Sequence, residues 1–345
     1  MPTGSYERYG LTGNPFRELA SENVEDVTIF HVPQASDTVL RTILDEVLDK
    51  ENRAVVAITG PQGSGKTQRL LLARAEAKAR HAFCVYFDVT NRSPWALRGL
   101  AEGFERAARD AGLVKMLGAP AWLRSVTALA KAKGEGYDPK EAGRRLGEAL
   151  NAASPSFLLL NDLHNLVDAA DVDRFARTLE EVAGVIRPGV LIMFACYASY
   201  LAWLTANQPG FVSRVNRSLP LATLSDDEAR LVLAKKLLAK RIVEDLEPTY
   251  PFDRGAVHEL NVAAHGNPRR LFELADGALE RGVQTRAYQI DEEVVHAVIV
   301  AREHPGAESA PPWRETDEPA APPPDASEPV VPPRTGRRSV FGRSR

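Results

Sequence analysis

The chain has 345 residues, enough for two compact domains or one large domain with appendages. Charged residues make up 26% of it and the net charge is only −3, so overall charge implies no polyanion or membrane partner. No apolar run approaches the roughly 20 residues of a membrane span, and the opening MPTGSYERYG lacks the apolar stretch of a secretory signal.

Residues 1–34 are irregular and polar and form an N-terminal lead-in. Ser36-Asp37 then predicts a helix cap, with Val39, Leu40, Ile43, Leu44 and Val47 on one apolar face. AVVAIT (54–59) predicts a buried strand, KTQRLLLARAEAKAR (66–80) a helix and AFCVYFDV (82–89) a second strand. Ser93-Pro94 predicts the cap and first turn of a helix reaching about Asp110. Asp138-Pro139 with Glu141 repeats that device before GRRLGEALNAA. FLLL (157–160) and VLIMFAC (190–196) add two strands. Cys84 and Cys196 lie inside such strand-like runs, so both are expected as reduced core thiols of a cytoplasmic protein. Trp95, Trp122 and Trp203 sit on helix-like segments as packing residues.

Strands this apolar are covered on both faces, which predicts an α/β domain over 35–224: a parallel sheet with helices on either side. From Ser225 the pattern is helical, in SDDEARLVLAKKLLAKRI, DRGAVHELNVAAHG, NPRRLFELADGALERG and IDEEVVHAVIVARE, giving a small all-helical domain over 225–302. Residues 303–345 are proline-rich with a basic end, PPRTGRRSVFGRSR. Such a tail has too few core-forming residues to offset its ordering entropy and is expected to be disordered.

GPQGSGKT, residues 60–67, fits G-x-x-x-x-G-K-[ST] and lies directly between a strand and a helix, where its mechanism requires it. The glycines Gly60, Gly63 and Gly65 let the loop they form with Pro61, Gln62 and Ser64 curl so that successive N–H groups point inward at phosphate oxygens, and the helix opening at Lys66, Thr67 and Gln68 adds its positive end. Lys66 is placed to reach the β- and γ-phosphates as a point charge. Thr67 presents a hydroxyl to Mg²⁺. ATP and Mg²⁺ are the expected cofactors.

Four stretches carry a family resemblance: YGLTGNPF (9–16), GPQGSGKT, FVSRVNRSLPLATLSDDEA (211–229) and HGNPRRL (265–271). Over residues 9–302 the chain resembles the AAA+ P-loop ATPases. It looks most like the branch of origin-recognition initiators, ExeA (GspA)-type secretion ATPases and transposition regulators. The resemblance implies that Asn14, Pro15 and Phe16 lie beside the adenine, and that residues 225–302 form a lid over the nucleotide. It implies that Arg269 senses phosphate from the lid and that Arg214 or Arg217 is a finger inserted into a neighbouring subunit. Both candidates stay open. A cleaved γ-phosphate spreads negative charge over its oxygens, and positive side chains stabilise it. A polar residue near the γ-phosphate falls near Cys196 or Ser199, and neither is assigned.

The family's acidic strand end is Asp-Glu, the first holding the magnesium water shell and the second polarising the attacking water. Here the matching pair is Asn161-Asp162. Asn161 can accept a hydrogen bond from a magnesium-bound water but brings no charge, and Asp162 is one methylene shorter than Glu. Sliding the register by one would make Asp162 the metal-side group but, since successive strand residues face opposite ways, leave the base position to Leu163. Nucleotide binding with slow hydrolysis is therefore expected. His164 and Asn165 either support the acid or cap its turn, and His265 is expected to be a helix-end residue.

Three classes follow: an ATP-dependent assembly switch acting on DNA or DNA-associated complexes, such a switch acting on protein partners, and a small-molecule kinase. The lid and GNPRRL count against the kinase. Lys235, Lys236, Lys240 and Arg241 on the first lid helix favour DNA, whereas the absence of a winged-helix domain after the lid counts against origin binding. The tail, with Val340 and Phe341 between arginines, is the candidate for docking a protein partner. A finger acting in trans implies a homo-oligomer.

Overall fold

The computed structural model describes residues 6–17, 31–89, 97–113, 119–131 and 138–303. The Ser93-Pro94 cap, Trp95 and the tail beyond Glu303, with Val340 and Phe341, lie outside the described residues.

Five strands form one parallel sheet: β1 (Ala54–Thr59), β2 (Phe83–Asp88), β3 (Ser156–Asn161), β4 (Val190–Cys196) and β5 (Arg217–Pro220). Their order is β2-β3-β4-β1-β5. The helices flanking them are α1 (Ala35–Leu48), α2 (Lys66–Ala79), α3 (Leu97–Asp110), α4 (Ala121–Lys131), α5 (Pro139–Ala152), α6 (Ala169–Val185), α7 (Ala198–Asn207) and the short α8 (Pro209–Val212).

Alternation along each strand divides the core in two. Val55, Ala57, Leu158, Leu160, Ile192 and Phe194 face the layer of α3 to α7. Val56, Ile58, Phe157, Leu159, Leu191 and Met193 face α1 and α2. Burial on both faces explains why β1, β3 and β4 read as continuous apolar runs. Cys84 and Cys196 are free thiols, and burial pushes each up to about 12. Trp122 and Trp203 pack half-buried against the larger layer. Gly143 and Gly147 let α5 approach α6, since a Cβ on Gly143 would lie 2.5 Å from the Thr178 carbonyl oxygen.

Helix starts follow their capping chemistry. The Asp138 carboxylate accepts from the Lys140 amide at 3.1 Å, with Pro139 in the first turn. At α1 the start comes earlier than the sequence suggests. Gln34 is the cap, its amide donating at 2.6 Å to Asp37, which serves as the reciprocal partner within the first turn. Val39 turns outward at 48% exposure, and the buried stripe is Leu40, Ile43, Leu44, Val47 and Leu48. The earlier start changes the phase of the apolar face.

After β5 come α9 (Asp226–Leu238), α10 (Arg254–Ala263), α11 (Pro268–Thr285) and α12 (Glu292–Glu303). Ser225 and Glu228 close a reciprocal capping box at the start of α9. His265 adopts φ 52 just past α10, and its amide donates to the Val262 carbonyl at 3.0 Å, as a helix-end residue does. These helices enclose their own core, which also takes in Tyr9, Leu11 and Phe16 from the N-terminus. Phe16 is wholly buried, edge-on to Phe252 at 5.9 Å and stacked on Phe272 at 6.1 Å. The backbone of Thr12 and Gly10 bonds to Lys240 and Ile242 at 2.8 Å each. Among the described residues no helix is long and apolar enough to cross a membrane.

Candidate functional site

The phosphate loop leaves the end of β1 and enters α2. Gly63 and Gly65 take φ of 75° and 95°, which residues with a Cβ adopt only under strain. Gly65 is the N-cap of α2 and supplies no side-chain acceptor, so the first amides of the helix stay available to an anion. Lys66 is 6% exposed, donates from Nζ to the carbonyls of Gly60 at 2.9 Å and Pro61 at 2.8 Å, and lies 4.7 Å from the Tyr197 ring centroid. Burial pushes its ammonium down to about 8. The Ser64 hydroxyl is buried without a partner among the described residues.

Asn161 is in phase with Phe157 and Leu159, so it faces the α2 side of the sheet. There its Oδ1 accepts from the Thr67 hydroxyl at 3.0 Å. β3 ends at Asn161, and Asp162 takes a left-handed conformation, φ 52 and ψ 49. The strand alternation assumed for the Asn161-Asp162 pair therefore stops before Asp162. The turn brings its Oδ2 within 3.1 Å of the Asn161 amide nitrogen, which donates to it. Burial and the neighbouring Asp88 carboxylate push the Asp162 carboxyl up, against the opposing effects of Lys66 and Arg269.

Asp88, which the sequence reading passed over, is the third member. It ends β2 in register with Asn161, and its Oδ1 accepts from Asn161 Nδ2 at 2.6 Å. The signal was present as the one acid in an apolar strand run, but the cross-strand pairing that gives it meaning is not local. His164 sits against Tyr197 with ring centroids 3.8 Å apart, and burial pushes it down to about 4, so it is neutral at pH 7. Asn165 ties this turn to the end of β2 through the Val89 carbonyl at 2.8 Å.

The helical region meets the loop through the start of α11. Asn267 Nδ2 donates to the Gln62 carbonyl at 2.5 Å, and a Cβ on Gly63 would lie 2.6 Å from Arg269 Cβ. The same Asn267 caps α11 by accepting from the amides of Arg269 and Arg270. Gln68 accepts from Arg69 at 3.3 Å. Arg69 is buried, its Nε 3.0 Å from Asp37 Oδ1 in an ion pair not aligned as a hydrogen bond. His31 Nε2 lies 3.0 Å from Asp37 Oδ2, and Lys235 donates to the His31 carbonyl, bringing α9 to this edge as well.

Other sequence-predicted residues lie elsewhere. Asn14 bonds to Asp276 on α11 at 2.7 Å, Pro15 is buried beside it, and Phe16 lies in the helical region's core rather than in the cluster around the loop. Arg214 and Arg217 are exposed, Arg217 paired with Val56 at the start of β5, roughly 10 Å upstream of the end of β1 at about 3.3 Å per residue. At that position the backbone of Arg217 is set back from its own loop. The basic residues expected on one helix do not share a free cationic face, since Lys240 and Arg241 follow the end of α9 at Leu238. Lys236 is buried against Phe272, Lys235 is used by His31, and Arg241 donates to the carbonyls of Leu246, Glu247, Pro248 and Tyr250.

The residues fit a triphosphate and its cation. The glycine cradle and the uncapped helix start suit phosphate oxygens, the Ser64 hydroxyl is buried without a partner among the described residues, and Lys66 is held by backbone carbonyls and the Tyr197 ring. Thr67, Asn161, Asp162 and Asp88 form one oxygen-rich cluster beside it.

No protein-family model matches the chain, and no curated protein matches it in sequence. Solved structures do. The chain is similar to the Aeropyrum pernix Orc1 protein in complex with DNA, at 16% identity and TM-score 0.52 over 84% of this chain and 69% of that one. It is likewise similar to Cdc6p from Pyrobaculum aerophilum, at 16% identity and TM-score 0.52 over 80% and 70%. The Aeropyrum pernix ORC2 protein, solved as ADPNP-ADP complexes, matches at 17% identity and TM-score 0.50 over 86% and 73%. The parallel sheet, the phosphate loop after its β1 strand and the helical region that follows are together the fold of the AAA+ P-loop ATPases.

Proposed function

We propose that this protein binds Mg·ATP at residues 60–68 and uses it as a slow assembly switch, acting on DNA or DNA-associated complexes. The observation that carries this reading is the contact of Asn267 and Arg269 with Gln62 and Gly63, because it joins the helical region to the atoms that would hold phosphate. A ligand that changes this loop changes the contact, and so biases the position of the helical region. Lys66 and Arg269 supply positive charge, and Thr67 and Asn161 orient oxygen atoms toward the cation side. Bound magnesium would neutralise phosphate charge. Asp162 is the group placed to accept a proton from an attacking water, and its carboxylate is short for that task, which supports slow turnover. The exposed Arg214 and Arg217 are available to a second copy, which supports a homo-oligomer.

The DNA-associated reading draws on the likeness to a protein solved with DNA. Protein partners form the second reading, favoured by the internal use of Lys235, Lys236 and Arg241 and by the exposed Leu231, Leu238, Ile242 and Val243 beside them. The C-terminal tail is proposed as a docking segment in either case.

Anisotropy of labelled duplex DNA across a salt series, with and without a non-hydrolysable ATP analogue, separates the two when light scattering is read on the same samples. Analogue-dependent oligomers that bind DNA support the first reading, and oligomers that ignore DNA support the second. A monomer unaffected by the analogue contradicts both.

A further inference from the structure

The acidic strand end that this fold would use for magnesium carries Asn161 where a charge is expected, yet the site is not short of carboxylates. β2 and β3 are parallel and in register, with Asp88 opposite Asn161. Side chains at paired positions point to the same face. The face here is that of α2, because Asn161 is in phase with Phe157 and Leu159 and bonds to Thr67 in the first turn of α2. Asn161 is thus held at both ends. Its oxygen takes the Thr67 hydroxyl at 3.0 Å, and its nitrogen gives to Asp88 at 2.6 Å. Turned by half a rotation, the amide would set its oxygen against the Asp88 and Asp162 carboxylates, which favours the orientation shown. Asp88 is exposed, whereas Asp162 is half-buried and its charge acts on Lys66.

We propose that Asp88 supplies the magnesium-side carboxylate missing from β3, acting across the strand pair through the fixed Asn161 amide on the water shell of a nucleotide-bound divalent cation. The charge that the family resemblance implies for β3 is then carried one strand outward, and Asp162 is left for the water. This assignment rests on the reading of residues 60–68 as an Mg·ATP site.

Calorimetric ATP titrations in Mg²⁺ and in EDTA test it, on wild type, Asp88→Asn, Asn161→Asp and the double variant Asp88→Asn/Asn161→Asp, each checked for folding by melting. In wild type, Mg²⁺ tightens ATP binding. In Asp88→Asn that gain falls about tenfold, as expected for an outer-shell partner, while affinity in EDTA is unchanged. The double variant returns the charge to β3 and restores the gain, a rescue that a merely structural role for Asp88 does not produce. An unaltered Mg²⁺ gain in Asp88→Asn overturns the proposal, and so does an equal loss in Mg²⁺ and in EDTA. If wild type binds no ATP under either condition, the underlying nucleotide reading fails instead.

Discussion

Asn267, at the start of the long helix α11, donates a 2.5 Å hydrogen bond to the carbonyl of Gln62 in the phosphate loop. One side chain thus does two things: its oxygen caps α11 and its nitrogen holds the loop. Asn267→Asp separates them, because the carboxylate keeps the cap but faces the Gln62 carbonyl with a second acceptor. The substitution is expected to cost little global stability, on the order of 1 kcal/mol, while hydrogen exchange at residues 60–67 accelerates. Exchange there at the wild-type rate would show that the contact does not restrain the loop.

One contact between α1 and α2 is electrostatic. Burial pushes the Asp37 carboxyl up, but the hydrogen bond with His31 and the Arg69 charge outweigh it and hold it below its ordinary value. A carboxyl depressed in the folded state adds stability that is present above its unfolded pKa and lost as pH falls through its folded one. Asp37→Asn, which leaves Arg69 buried beside a neutral group, is therefore expected to cost about 3 kcal/mol at pH 7. Thermal melts across pH should show the difference from wild type shrinking below about pH 4. A gap independent of pH would mean that packing, not charge, is lost.

Phe16 is wholly enclosed by the helical region. Phe16→Ala leaves a cavity between Phe252 and Phe272 and is expected to destabilise the protein by about 3–5 kcal/mol, read from denaturant unfolding. A loss below about 1 kcal/mol would mean that the N-terminal segment is not part of that core.

Asp162 sits in the left-handed region, which asparagine tolerates far better than alanine. Asp162→Asn thus removes the charge without backbone strain. Basal ATP turnover, proposed to be slow, should fall at least tenfold, the equivalent of about 1.4 kcal/mol of transition-state stabilisation, with ATP affinity retained. Brisk wild-type turnover, or an Asn variant as fast as wild type, would remove Asp162 from the chemistry.

Much of the fold was legible because it depends on local pattern. β1 and β4 have the bounds their apolar runs suggested, and the cap residues Asp138 and Ser225 open the helices expected of them. The phosphate loop was legible too, since its motif and both flanks are contiguous. What local pattern could not carry was the meeting of distant residues. Asp88 matters only through its register with Asn161, and the direction of Asp162 depends on one backbone turn that the letters Asn-Asp-Leu do not reveal. The same holds for α9. Lys235, Lys236 and Arg241 read as one solvated basic face until the helix stops at Leu238, before Arg241, and a histidine carbonyl, a phenylalanine ring and a loop of carbonyls are folded against them.

Residues 60–68 are proposed to hold Mg·ATP, and calorimetric titration of wild type and Lys66→Ala with Mg·ATP is the decisive measurement. Lys66 is a buried cation held only by the carbonyls of Gly60 and Pro61 and the face of Tyr197, so its removal takes away charge facing the site. Saturable one-to-one binding by wild type, and none detectable by a folded Lys66→Ala, is the result expected. Equal binding by both proteins, or binding by neither, would contradict it.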